Sequence, residues 1–93
     1  MKIWIDAVRP APEGNWVWIK SVNAAKRYIS MTSPYGVADI MLSVDPNTDD
    51  YIELINWLKE TDRNYPIHIH SQNSEGVANM RAIIERNDWK EVI

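Results

Sequence analysis

His68 and His70 stand two residues apart in Ile67-His68-Ile69-His70, and on an extended strand that spacing sends both imidazoles out of one face. Imidazoles placed so can move protons near neutral pH or hold a ligand. A pair of hydrogen-bonded structural histidines has the same pattern, and that reading weighs more on His68 than on His70, which ends the run. Asp6 and Asp45 follow two other apolar runs. Two carboxylates brought together raise one another's pKa or recruit a divalent cation through oxygen ligands. The local alternative is that Asp45 caps a turn before Pro46 while Asp6 holds Arg9 or a loop amide. Ser71, Asn73, Ser74 and Gly76 precede a helix-like segment, where backbone amides and the positive dipole end suit a phosphate as well as ordinary capping.

The elements that must position these residues follow from periodicity. Ile3 and Ile5 alternate with Trp4, predicting a strand over 2–6 covered on both sides, and Trp16-Val17-Trp18-Ile19 predicts a second over 16–19. Pro10, Pro12 and Gly14 force a loop between them. Ser21 is a plausible N-cap for a helix over 22–30 that shares Val22, Ala25, Tyr28 and Ile29 on one face. After the breakers of 32–36, residues 38–44 read as a buried strand ending at Asp45 and Pro46, with a turn over 47–50. Ile52, Ile55 and Leu58 recur at helical spacing up to about Glu60. Pro66 opens a strand over 67–70, Asn73 or Ser74 caps a helix turning Val77, Met80, Ile83 and Ile84 inward, and 89–93 forms a short edge strand.

Strands alternating with helices predict an α/β fold, a mostly parallel sheet flanked by helices. In such a sheet ligands bind outside the carboxyl ends of the strands. Those ends carry Asp6 and Arg9, then Ser43 and Asp45, then His70, Ser71 and Asn73. The expected core comprises Ile5, Val17, Ile40, Leu42, Ile52, Ile55, Ile69, Met80 and Ile84, together with most of the five tryptophans.

Ninety-three residues fit one domain spanning 1–93. The absence of cysteine excludes disulfides and thiolate chemistry. A net charge of −3 argues against an extended nucleic-acid partner, and Lys20, Lys26 and Arg27 read as a solvated helix face. No apolar run approaches a membrane span or a leader peptide, so the chain is expected to be soluble, cytoplasmic and without a membrane partner.

Several segments in order resemble the signatures of cyclic-phosphate-processing receiver-like domains: Ile3-Trp4-Ile5-Asp6-Ala7-Val8-Arg9-Pro10, Trp16-Val17-Trp18-Ile19-Lys20, residues 39–45, and Ile67-His68-Ile69-His70-Ser71-Gln72-Asn73, continuing into Gly76, Asn79 and Met80. The resemblance implies a small receiver-like, flavodoxin-type fold with an acidic, histidine-containing pocket. It also implies processing of cyclic phosphate linkages on nucleotides or RNA ends, and an origin of the phage or bacterial kind. Asp6, Arg9, Asp45, His68, His70, Ser71 and Asn73 match the family pattern. Two departures stand beside them. Ala7 follows Asp6 where the family usually has a second aspartate, and Leu42-Ser43-Val44-Asp45 replaces the usual Leu-Asp-His-Asp. Ser43 occupies a receiver's phosphoacceptor position without the charge or an obvious activating base, which argues against aspartyl phosphotransfer. The lost acids weaken affinity for Mg or Mn at Asp6 and Asp45.

Three functions follow as expectations. The first is binding of a cyclic or otherwise phosphorylated nucleotide by Asp6, Arg9, Asp45, Ser71 and Asn73. The second is a residual cyclic phosphodiesterase with His70 and His68 as its catalytic groups. The third is a protein-interaction or inhibitor module that uses the fold as a scaffold.

Overall fold

The computed structural model describes residues 1–32, 40–47 and 51–92. Its elements are β1 (Lys2–Ile5), β2 (Trp16–Ile19), α1 (Val22–Thr32), β3 (Met41–Val44), α2 (Tyr51–Glu60), β4 (Ile67–Ile69), α3 (Ser74–Arg86) and β5 (Glu91–Val92). The order of elements matches the periodicity; the boundaries move by a residue or two. The start of the strand expected over 38–44, most of the turn over 47–50 and Ile93 lie outside the described residues.

All four strand pairings are parallel, in the order β2-β1-β3-β4-β5, as in a flavodoxin-type sheet. Ser21 caps α1 as expected: its hydroxyl accepts from the amide of Ala24 at 3.1 Å. Asn73 caps α3, its side-chain oxygen accepting from the amide of Gly76.

The core lies on one side of the sheet. Ile3, Ile5, Ile19, Leu42, Val44 and Ile67 meet Val22, Ala25 and Ile29 of α1, Leu54, Ile55 and Leu58 of α2, and Met80 and Ile84 of α3. The handedness of crossovers explains why. The connections β2→β3, β3→β4 and β4→β5 all step the same way across the sheet, so right-handed crossovers put all three helices on one face. The step from β1 to β2 runs the other way and carries no helix; its loop turns at Gly14, whose φ of 122° is strained for any residue with a Cβ. Helices therefore flank one face of the sheet.

Three expectations about the core change. Ile52 is 43 % exposed, because the buried stripe of α2 runs through Leu54, Ile55 and Leu58 and Ile52 falls about 100° round the helix from Tyr51 at its edge. Val17, on the edge strand, and Ile69, at a strand end, are half-buried against the core. None of the tryptophans is buried: Trp4, Trp16, Trp57 and Trp89 are half-buried and Trp18 is 36 % exposed. Trp4, Trp16 and Trp18 alternate with the core positions of β1 and β2, so they stand on the face without helices.

Candidate functional site

Asp6 leaves the end of β1 almost fully buried, at 1 % exposure, and its local sequence dictates how it is held. The chain turns at once into the loop, and Oδ1 accepts from the amides of Val8 and Arg9, both at 2.8 Å. Two indoles pin the same turn. Trp18 donates to the carbonyl of Asp6 at 2.8 Å and Trp4 to that of Arg9 at 3.0 Å. These tryptophans thus serve the loop through their polar tips, which apolar periodicity alone does not reveal.

The other carboxylate oxygen of Asp6 faces His70 Nε2 at 3.0 Å and Arg9 Nε at 3.3 Å. Asp45, buried at the end of β3, accepts the amide of Asn47 at 2.9 Å, and its second oxygen lies 3.6 Å from the Arg9 guanidinium. Both local roles considered for these acids are therefore present. They also converge, joined through Arg9, whose side chain remains 46 % exposed.

Burial by itself would raise the Asp6 pKa. The amides of Arg9 and Val8, then His70, outweigh it and hold the carboxyl below its ordinary value. For His70 burial dominates and pushes the pKa below the usual 6.5, against the opposing pull of Asp6 and Asp45. His70 is thus neutral near pH 7, and the hydrogen-bond network fixes its tautomer. Nε2–H donates to Asp6, leaving Nδ1 to accept from Ser43.

Ser43 Oγ lies 2.7 Å from His70 Nδ1 and 2.8 Å from His68 Nδ1. Its single proton goes to His70, so His68 Nδ1–H donates to the serine. A directed chain runs from His68 through Ser43 and His70 to Asp6. Trp4 stacks on His70 with centroids 3.6 Å apart and planes 9° from parallel, holding the ring in place. The expectation that Ser43 lacks an obvious activating base is corrected, for His70 Nδ1 accepts its proton. Its complete burial, at 0 % exposure, keeps the hydroxyl away from any substrate.

Between the strand ends a cavity of about 340 Å³ is lined by Asp6, Val8, Arg9, Asp45, Asn47, Gln72 and Asn73. Ser71 stands behind the lining. Its hydroxyl accepts from Asn47 Nδ2 at 3.3 Å and from the Asn73 amide at 3.0 Å. Asn73 Nδ2 donates to Asn47 Oδ1 at 2.9 Å, tying the β3 loop to the start of α3. Gly76 allows the close approach, since a Cβ there would come within 3.1 Å of Pro46. His70 is one shell behind Asp6, and His68 lies outside the cavity, half-buried on the face without helices. Asn47 and Gln72 were not singled out by the sequence; their adjacency to Asp45 and Ser71 was the available signal.

The acid pair and His70 also offer one atom each within 4.8 Å of one another, a spacing that could hold a metal ion. The fit is poor for a hard cation. Oδ1 of Asp6 is spent on two amides, and the guanidinium of Arg9 already reaches both acids, whereas Mg and Mn need several free oxygen ligands.

The family model described as cyclic-phosphate processing receiver domain matches residues 1–86. No curated protein and no solved structure matches.

Proposed function

This chain belongs to the cyclic-phosphate processing receiver domain family, and we propose that it binds a cyclic or otherwise phosphorylated nucleotide in the cavity at the strand ends. The observation that carries this reading is Arg9, half-exposed at the cavity and in contact with both buried carboxylates. The cavity wall has a polarity. Arg9, Asn47, Gln72 and Asn73 supply donors suited to phosphate oxygens, and Asp45, whose second oxygen meets only Arg9 among the described residues, at 3.6 Å, supplies an acceptor suited to a sugar hydroxyl. The Asp6–His70–Ser43–His68 chain fixes the acid face of the cavity; we assign His70 to positioning Asp6. With the acids joined to Arg9, the site favours holding a ligand over metal-dependent hydrolysis.

Residual cyclic phosphodiesterase activity is the second reading, and the mutual spacing of Asp6, Asp45 and His70 supports it. That reading requires both acids to be released from Arg9 before they could hold a metal ion. Calorimetry with 3′,5′-cyclic mononucleotides on the wild type and on Arg9→Gln separates the two. Binding should fall at least tenfold in Arg9→Gln, since a lost charge-assisted hydrogen bond costs about 1.5–3 kcal/mol. Tighter metal-dependent binding in Arg9→Gln, with product formed, would favour the metal reading instead.

A further inference from the structure

Every described helix packs on one face of the sheet, and the opposite face is left to the strands' own side chains: Lys2 and Trp4 of β1, Trp16 and Trp18 of β2, Met41 and Ser43 of β3, His68 of β4 and Val92 of β5. The Trp4 end is closed by the stacked His70 ring and by the loop carbonyl of Arg9. Trp16, Trp18, Met41 and Val92 take no part in the core, and Trp18 is 36 % exposed. All-parallel sheets occur almost only with both faces covered by helices, and among the described residues no helix covers this part, although the β1–β2 loop at Gly14 lies against Trp16 and Lys2.

The charge on this face differs from that of the whole chain. Lys2 Nζ sits 4.7 Å over the Trp16 ring and Lys20 Nζ 4.4 Å over the Trp18 ring. Among the described residues the strand positions that share the face include no acid, although the chain carries a net −3. Lys20 was expected beside Lys26 and Arg27 on a solvated helix face. Instead Lys26 pairs with Glu53 of α2 at 2.6 Å, and Lys20 belongs to the open sheet face.

We propose that this face is the docking site for an acidic amphipathic helix of a partner protein. Its apolar stripe would lie on Trp16, Trp18 and Met41, and its flanking carboxylates would pair with Lys2 and Lys20. Five strands span about 19 Å; with the β1–β2 loop over the Trp4 side, room remains for one helix about 10 Å across. Two other occupants fit less well. A second copy would set lysines against lysines across a two-fold axis. A single-stranded nucleic acid would need more phosphate contacts than the two lysines of this face supply. The proposal is independent of the cavity at the strand ends.

The test uses two synthetic ~18-residue helical peptides that share a leucine face, one flanked by glutamates and the other by lysines. The full chain is titrated with each while the indole N–H resonances are followed. The glutamate peptide should shift the signals of Trp16 and Trp18, leave those of Trp57 and Trp89 on the helical side in place, and bind about tenfold tighter than the lysine peptide. The Lys2→Glu, Lys20→Glu double variant, checked for folding by circular dichroism, should reverse that preference. Equal affinity for the two peptides, or no binding of either, overturns the proposal. So does a single-stranded oligonucleotide that moves the same resonances more strongly, or self-association in sedimentation that moves them without peptide.

Discussion

Asp6→Asn replaces one oxygen of a buried carboxylate with an amide nitrogen, and the surroundings decide which. Oδ1 is fixed as an acceptor by the amides of Val8 and Arg9, so the new NH2 must take the place of Oδ2. There it faces His70 Nε2 at 3.0 Å and Arg9 Nε at 3.3 Å, donor against donor. Arg9 can swing into solvent. His70, buried under Trp4, can respond only by moving its proton from Nε2 to Nδ1. Ser43 must then accept from His70 and donate to His68 Nδ1, so both histidines change tautomer together. Loss of the charge-assisted contact is worth about 1.5–3 kcal/mol. Urea denaturation of the variant should show destabilisation on that scale, and ¹⁵N shifts of the imidazoles should report the exchanged tautomers at both His68 and His70. Unchanged tautomers with wild-type stability would refute the directed chain and the place of Asp6 at its end.

Further outcomes follow from the same packing. Ser43→Ala removes the link between the imidazoles and leaves a buried donor and acceptor unmatched, and should cost about 1–3 kcal/mol in denaturant. Leu54→Ala, at a position of 0 % exposure, should cost about 2–5 kcal/mol by opening a cavity under α1 and α2. His70 carries a folded pKa below its ordinary 6.5, so below that value the unfolded chain takes up a proton that the folded one refuses. Unfolding free energy should therefore fall with falling pH from about 6.5 down to the folded pKa, by up to about 1.4 kcal/mol per pH unit. His70→Gln should flatten that slope, and a slope of opposite sign would contradict the burial of a neutral ring.

The sequence carries the fold well where its patterns are local. Alternation in Ile3-Trp4-Ile5, helical spacing through Leu58 and Ile84, and the caps Ser21 and Asn73 each specify an element directly. Which face of the sheet receives helices is a property of connection direction. The tryptophans of β1 and β2 therefore read as core from composition, yet they stand outside it. Within the site, the strand-end rule and the family resemblance together bring Asp6, Arg9, Asp45 and Asn73 to one cavity. The depth of His70 behind Asp6 was not legible, because it depends on a stacking contact with Trp4 from another strand. Ser43 read as a lost acid, and only the register of β3 with β4, which sets Ser43 beside His68, makes it the centre of a hydrogen-bonded chain.

Nucleotide binding at the strand ends is tested most directly by calorimetry of the wild-type chain against a panel of cyclic mono- and dinucleotides, each run with Mg, with Mn and with a chelator. The expected result is saturable binding of at least one cyclic nucleotide that persists in chelator and weakens at least about tenfold in Arg9→Gln. Absence of binding across the panel, or binding that chelation abolishes, would contradict it.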